Sequence, residues 1–190
     1  YAWGAQAEES SYATSYIPTY GSTATRTADV STSSSNTFGN SWYDQEQGTV
    51  FADLKLETLG TTGFARMLVF LEADANSDSY FGVNTRNIGS ADDGKFFGVV
   101  SDGVTAGDFP PPAGSPAFEA KLALAAEANN GAYTNNGLTP VTDNTLSMPI
   151  PVQARFFGEA RYQNRSSGWL KRFTYWPKRL SNDTLQAITK

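Results

Sequence analysis

A chain of 190 residues with 39% hydrophobic residues can bury one sizeable core, and 17% charged against 13% aromatic residues excludes a disordered polyelectrolyte. The net charge is −5 with no run of Lys or Arg, so the nucleic acid backbone is set aside as a partner. Cysteine and histidine are both absent, which excludes disulfides, thiolate and histidine metal sites, and Ser-His-Asp or Cys-His catalysis.

The chain opens YAWGAQAEES, with neither the basic start nor the apolar segment of a signal peptide and with no initiating Met, and reads as a piece of something longer. Residues Tyr1 to Ala7 alternate loosely and suit a strand. Next comes TSYIPTYGSTATRTADV, Thr14 to Val30. Ile17 before Pro18 makes a stiff extended step, and Tyr16 and Tyr20 can pack it onto a neighbouring surface. That makes a semi-rigid joint, with an edge strand of the following domain as the alternative. STSSS, Ser31 to Ser35, is loop-like.

GTVFADLKLETL, Gly48 to Leu59, alternates plainly, with Val50, Ala52, Leu54 and Leu56 on one face and Asp53, Lys55 and Glu57 on the other. FARMLVFLEA, SYFGVNTR and KFFGVVSDG read as further strands, the last two separated by the turn signal SADDG. DFPPPAGSP cannot be regular structure, because its prolines lack amide donors. AFEAKLALAAEANNG has helix-favouring composition, yet its alternation predicts a strand. NNGAYTNNGLTPV, with two Asn-Gly signals, predicts a hairpin. VQARFFGEA and GWLKRFTYWP supply the last strands. RLSNDTLQAITK predicts a short helix, capped by Ser181, with Asp183 in its first turn and Leu180 stapled to Leu185. No apolar run reaches the length of a membrane helix, so no membrane insertion is expected.

The segment from Trp3 to Val30 resembles a joint of bacteriophage tail-fibre and other adsorption proteins. In that joint a G-x-Q-x-E strand is followed by T-S-Y-I-P-T and by T-R-x-A-D. Gly4, Gln6, Glu8, Thr14 to Thr19, Thr25, Arg26, Ala28 and Asp29 carry the likeness. EQGTVFADLKLE and GWLKRFTYWPKRLSNDTLQAIT resemble the first long strand and the closing strand and helix of a concanavalin A-like (laminin G-like) jelly roll. The closing pattern there is Y-x-x-R-L-S-x-x-x-L-x-x-L. The resemblance implies an all-β jelly-roll β-sandwich with a short C-terminal helix over 26–190, preceded at 1–25 by the end of another module and its connector. It further implies a non-enzymatic virion module at the tail or particle surface, binding host cell-surface polysaccharide and contacting other virion proteins. Proteins of that kind are commonly homotrimers. A purely structural spacer is one alternative, and a glycan-active enzyme or its accessory module is another.

Candidate chemistry is sparse. Jelly-roll glycosidases place E-x-D-x-x-E on one strand, and here Glu72 and Asp74 are followed by Ser77 in place of the second glutamate, which removes one of the two carboxylates the reaction needs. Asp74 and Asp78 offer oxygen ligands for calcium, with a solvated turn as the alternative; no other cofactor is expected. Sugar binding calls for an aromatic wall with a few polar groups. Trp42 and Tyr43 beside Asp44, and Tyr133 with Asn135 and Asn136 on a predicted hairpin tip, are the candidates. Core packing is the alternative for Trp42, and Trp169, Phe173 and Tyr175 on the last strand read as including core residues.

Overall fold

The computed structural model describes residues 31–32, 43–58, 66–72, 79–85, 92–151, 153–157 and 167–190. The connector expected over 1–25 lies outside them. Eleven strands and one helix appear among the described residues. They are β1 (Ser31–Thr32), β2 (Gln47–Thr58), β3 (Arg66–Glu72), β4 (Ser79–Thr85), β5 (Phe96–Asp102), β6 (Ala106–Phe109), β7 (Glu119–Glu127), β8 (Asn130–Asn135), β9 (Val141–Asp143), β10 (Gln153–Phe156), β11 (Ser167–Trp176) and α1 (Asn182–Ile188).

They form two antiparallel sheets, one ordered β1-β10-β3-β4-β5-β6 and the other β11-β2-β7-β8-β9. This is the all-β concanavalin A-like jelly-roll sandwich with a short C-terminal helix that the sequence predicts. The core lies between the sheets. Val50, Ala52, Leu54 and Leu56 of β2 and Ala120, Leu122, Leu124 and Ala126 of β7 face Phe81 and Val83 of β4 and Phe96 and Val100 of β5. Period-2 alternation makes this arrangement unavoidable once one face of β2 is committed to the core.

The strand prediction for AFEAKLALAAEANNG holds, and its ambiguity has a physical source. The burial of β7 alternates at its start and is continuous from Leu122 to Ala126. Ala123 and Ala125 face outward, but α1 lies over them: Leu185 is fully buried against Phe51, Ala123, Ala125 and Ala132. Small residues let the helix approach the sheet, and the same small residues raise helix propensity. The helix start is also as expected. The Ser181 hydroxyl accepts from the Thr184 amide at 3.2 Å, and Leu180 packs on the cluster around Leu185. Arg179 ties the approach to α1, donating to the Leu180 carbonyl at 2.7 Å and to Asn130 Oδ1 and Asn182 Oδ1 at 3.1 and 2.8 Å.

Three local expectations need correction. Ser31 and Thr32, read as loop, pair with Phe156 and Arg155 of β10. Asp108 and Phe109, read as part of an irregular proline run, end β6 on β5, with Pro110 the first residue beyond the ladder. The third is the Asn-Gly hairpin. The β7–β8 reversal is made at Ala128 and Asn129, with φ +56° at Asn129, so Asn130 and Gly131 already belong to β8. Only Asn136-Gly137, at φ +46° and +72°, forms a turn, leading from β8 towards β9.

Candidate functional site

That shift moves Tyr133 from the expected loop tip into the middle of β8, opposite Leu124. It is fully buried, and its hydroxyl donates to the Phe96 carbonyl at 2.9 Å. Burial pushes its phenol well above the ordinary value. The ring lies against Gly98, where a Cβ would come within 2.9 Å of Tyr133 Cγ, so β5 leaves the space that the ring fills. Asn135 is buried beside it. Its Nδ2 donates to Ser115 Oγ at 3.0 Å, and that hydroxyl is held by the Pro112 carbonyl at 2.6 Å. Tyr133 and Asn135 therefore tie the sandwich and the proline loop together and are not exposed to a ligand.

Tyr43 is also a packing residue. It stacks on Tyr175 with centroids 5.3 Å apart and packs on the core. Burial raises its phenol and takes that of Tyr175 up to about 12. The Tyr175 hydroxyl sits 3.2 Å from the Asp44 amide and from the Gln47 carbonyl, which fixes the entry to β2. Asp44 closes a local turn by accepting from the Glu46 amide at 2.9 Å. Trp42, Asp74, Ser77 and Asp78 lie outside the described residues, and Glu72 is the last residue of β3. Among the described residues no group of three or more Asp or Glu could hold a metal ion.

The outer faces of the two sheets differ. On the six-stranded sheet, outward positions Asn84, Phe97, Val99 and Ser101 are buried. On the five-stranded sheet, α1 covers one half and leaves the other open. That open half carries Lys55 and Glu57 beside Asp53, Glu119 and Lys121, with Trp169, Lys171 and Arg172 along β11. Opposite charges pair across the strands, with Asp53 facing Lys121 and Lys55 facing Glu119.

A β-bulge shapes this surface. Leu170 pairs with Leu54 and Arg172 with Asp53, so Lys171 is an extra residue between two register positions. Leu170 and Phe173 still reach the core, while Lys171 stands on the open face. Its ammonium is 2.5 Å from Glu119 Oε1 and 3.9 Å from Asp53 Oδ1. The hydrogen bond from Lys171 holds the Glu119 carboxyl below its usual value, and Glu119 in turn raises Lys171. A depression of about 320 Å³ opens here, lined by Asp53, Glu119, Lys121, Asn136, Lys171 and Lys190. Lys121 Nζ donates to the Lys190 carbonyl at 2.5 Å, and Asn136 Oδ1 accepts from the Lys121 amide at 2.8 Å. Of the sugar-binding candidates among the described residues, Asn136 alone lines this depression.

Trp169 lies one row further along, opposite Lys55. It is 63% exposed, and its Nε1 donates to Glu57 Oε1 at 2.8 Å, which fixes the orientation of the ring. The sequence placed Trp169 among residues of the last strand expected to include core. The bulge and the outward register were the missing signals, and neither is visible without the partner strand.

No protein-family model matches the chain, and no curated protein matches it in sequence. Solved structures do match it. Ruminococcus gnavus IT-sialidase CBM40 superposes with a TM-score of 0.55 at 19% identity, over 77% of this chain and 84% of that one. The same module bound to α2,3 sialyllactose gives a TM-score of 0.55 at 19% identity, again over 77% of this chain and 84% of that one. Trypanosoma rangeli sialidase in complex with the inhibitor DANA gives 0.57 at 14% identity, over 76% of this chain and 23% of that one. The chain thus spans less than a quarter of that sialidase. At these identities the likeness is one of fold.

Proposed function

We propose that this domain is a non-catalytic saccharide-binding module, that its contact surface is the open half of the five-stranded sheet, and that it is carried at the surface of a virion as part of a tail fibre or tailspike. The observation that carries the binding reading is Trp169, exposed on an open sheet face with its indole held by Glu57. An indole face suits the apolar side of a pyranose, and the carboxylates, ammoniums and amide of the adjacent depression suit its hydroxyls. A carbohydrate-binding module of like fold, bound to sialyllactose, is consistent with that use of the fold. Fold alone does not decide function, so the argument rests on the site.

The same site argues against hydrolysis. A glycosidase needs one carboxyl that keeps its proton near neutral pH, normally through burial. Glu119 is exposed and held ionised by Lys171, the opposite perturbation. The virion reading is supported by the tail-fibre-like joint, Gly4 to Asp29. Repetition of the module in a homo-oligomeric fibre would convert weak single-site binding into avidity.

The test is a glycan array on the purified chain beside Trp169→Ala. Binding that disappears in the variant, with an unchanged melting temperature, is the expected result. A folded chain that binds no glycan would instead make the domain a structural spacer.

A further inference from the structure

We infer that Asn136 is a site of spontaneous covalent modification, in which its carboxamide passes through a succinimide to aspartate or isoaspartate, and that the seating of α1 on its turn sets the rate. The reaction is independent of what the face binds. The sequence contains two Asn-Gly pairs, Asn130-Gly131 and Asn136-Gly137. Asparagine is among the thermolabile residues, and a following glycine leaves the attacking amide nitrogen least shielded. The two pairs stand in opposite surroundings. Asn130 and Gly131 are laddered to Glu127 and Ala126 of β7, and Gly131 pairs on its other side with Asp143 of β9. Asn136 is exposed, in a turn closed by the Leu138 amide on the Asn135 carbonyl at 2.9 Å.

With positive φ at both central residues, Asn136 and Gly137, this is a type I′ turn. In that form ψ at the first central residue is about +30°, which holds the Gly137 nitrogen away from the Asn136 side chain. A flip of the peptide between them to the type II′ form, with ψ about −120° and φ still positive at Asn136, brings that nitrogen against Cγ. The nitrogen attacks Cγ, its proton passes by way of solvent to the carboxamide nitrogen, and ammonia leaves as that C–N bond breaks. Water then opens the ring at either carbonyl and restores the Gly137 N–H. The end of α1 opposes the flip. The Gly137 amide donates to Thr189 Oγ1 at 3.0 Å, and its carbonyl accepts from Gln186 Nε2 at 2.9 Å. Glycine is needed at 137, because φ is +72° and a Cβ would lie 2.7 Å from Lys190 Cγ. The fit beneath the helix thus demands the residue that makes Asn136 labile, while the helix's own bonds restrain the reaction. Aspartate adds a carboxylate to the lining of the depression, and isoaspartate lengthens the main chain of the turn by one carbon.

The experiment incubates the full chain at neutral pH, folded or in guanidinium chloride, and follows the amide-to-acid mass change at Asn130 and Asn136 by fragment-ion mass spectrometry. The expected result is conversion at both positions in denaturant and at Asn136 alone in the folded chain, about tenfold or more slowly than in denaturant. Thr189→Val keeps the buried shape and removes the acceptor, and Gln186→Ala removes the second tie. Each should raise the folded-state rate about 2–10-fold, the equivalent of one hydrogen bond, and leave the rate in denaturant unchanged. Circular dichroism checks folding, and Gln186→Ala carries the test where the Thr189 variant does not fold. Folded variants no faster than the wild type would overturn the inference. So would a wild-type chain that converts equally fast folded and unfolded, or folded conversion at Asn130 matching that at Asn136.

Discussion

Replacing Tyr133 with Phe removes one oxygen from the middle of the sandwich and nothing else. The hydroxyl donates to the Phe96 carbonyl at 2.9 Å and receives a longer contact, 3.4 Å, from Asn135 Nδ2. The side chain is fully buried, so no water can take the place of the lost donor. Leaving a buried acceptor with a missing partner costs about 1–2 kcal/mol, since the carbonyl keeps its second lone pair for other bonds. In a chain of this size that lowers the melting temperature by about 2–8 °C. The urea midpoint should fall at constant m-value, because the surface exposed on unfolding is unchanged. Tyr133→Ala removes the ring as well and should cost about 3–5 kcal/mol, as large-to-small changes in cores do. Glycan affinity of the Phe variant should equal that of the wild type. A Phe variant as stable as the wild type but impaired in glycan binding would refute the reasoning and return Tyr133 to a ligand site.

Gly98→Ala places a Cβ about 2.9 Å from Tyr133 Cγ, and overpacking of this kind should lower stability by about 1–3 kcal/mol in a urea titration. Leu185→Ala empties the contact under α1 and should cost about 2–4 kcal/mol, with faster amide exchange in the Asn182–Ile188 helix than in β4 or β5. Asp102 is held below the usual carboxylate range by the amides of Thr105 and Val104. Its depressed value means that its stabilisation is complete above about pH 4 and is lost as pH falls through the folded value. Melting temperature followed against pH should therefore show a shallower acid decline in Asp102→Asn than in the wild type.

The fold was largely legible in the sequence because the two sheets leave a plain period-2 record. Val50, Ala52, Leu54 and Leu56 stand out against the charged Asp53, Lys55 and Glu57 that alternate with them, and Ser181 marks the helix start as sharply as a single residue can. β6 was hidden because Asp108 and Phe109 run directly into three prolines. The hairpin was misplaced because Asn130-Gly131 carries the same letters as a real turn, and only the pairing of Glu127 with Asn130 shows that the reversal is already complete. The site was less legible. Tyr133 and Asn135 look like loop chemistry once the reversal is put one step too late, and this single displacement turned buried residues into apparent ligands. Trp169, Lys171, Asp53 and Glu119 come from three strands with more than 100 residues between their ends, and no local pattern announces that they meet.

Lys171 occupies no register position of its own. Leu170 and Arg172 already pair with consecutive residues of β2, and the inward positions on either side remain filled. A chain from which this codon had been deleted would close the ladder as a regular strand, with Trp169 still facing outward and Leu170 still facing inward. The central cation of the face is therefore an addition that the scaffold tolerates and does not need. Single-codon gains and losses at this edge can re-tune what the surface accepts while folding proceeds on the same core, a route to altered specificity that requires neither a longer loop nor a repacked interior.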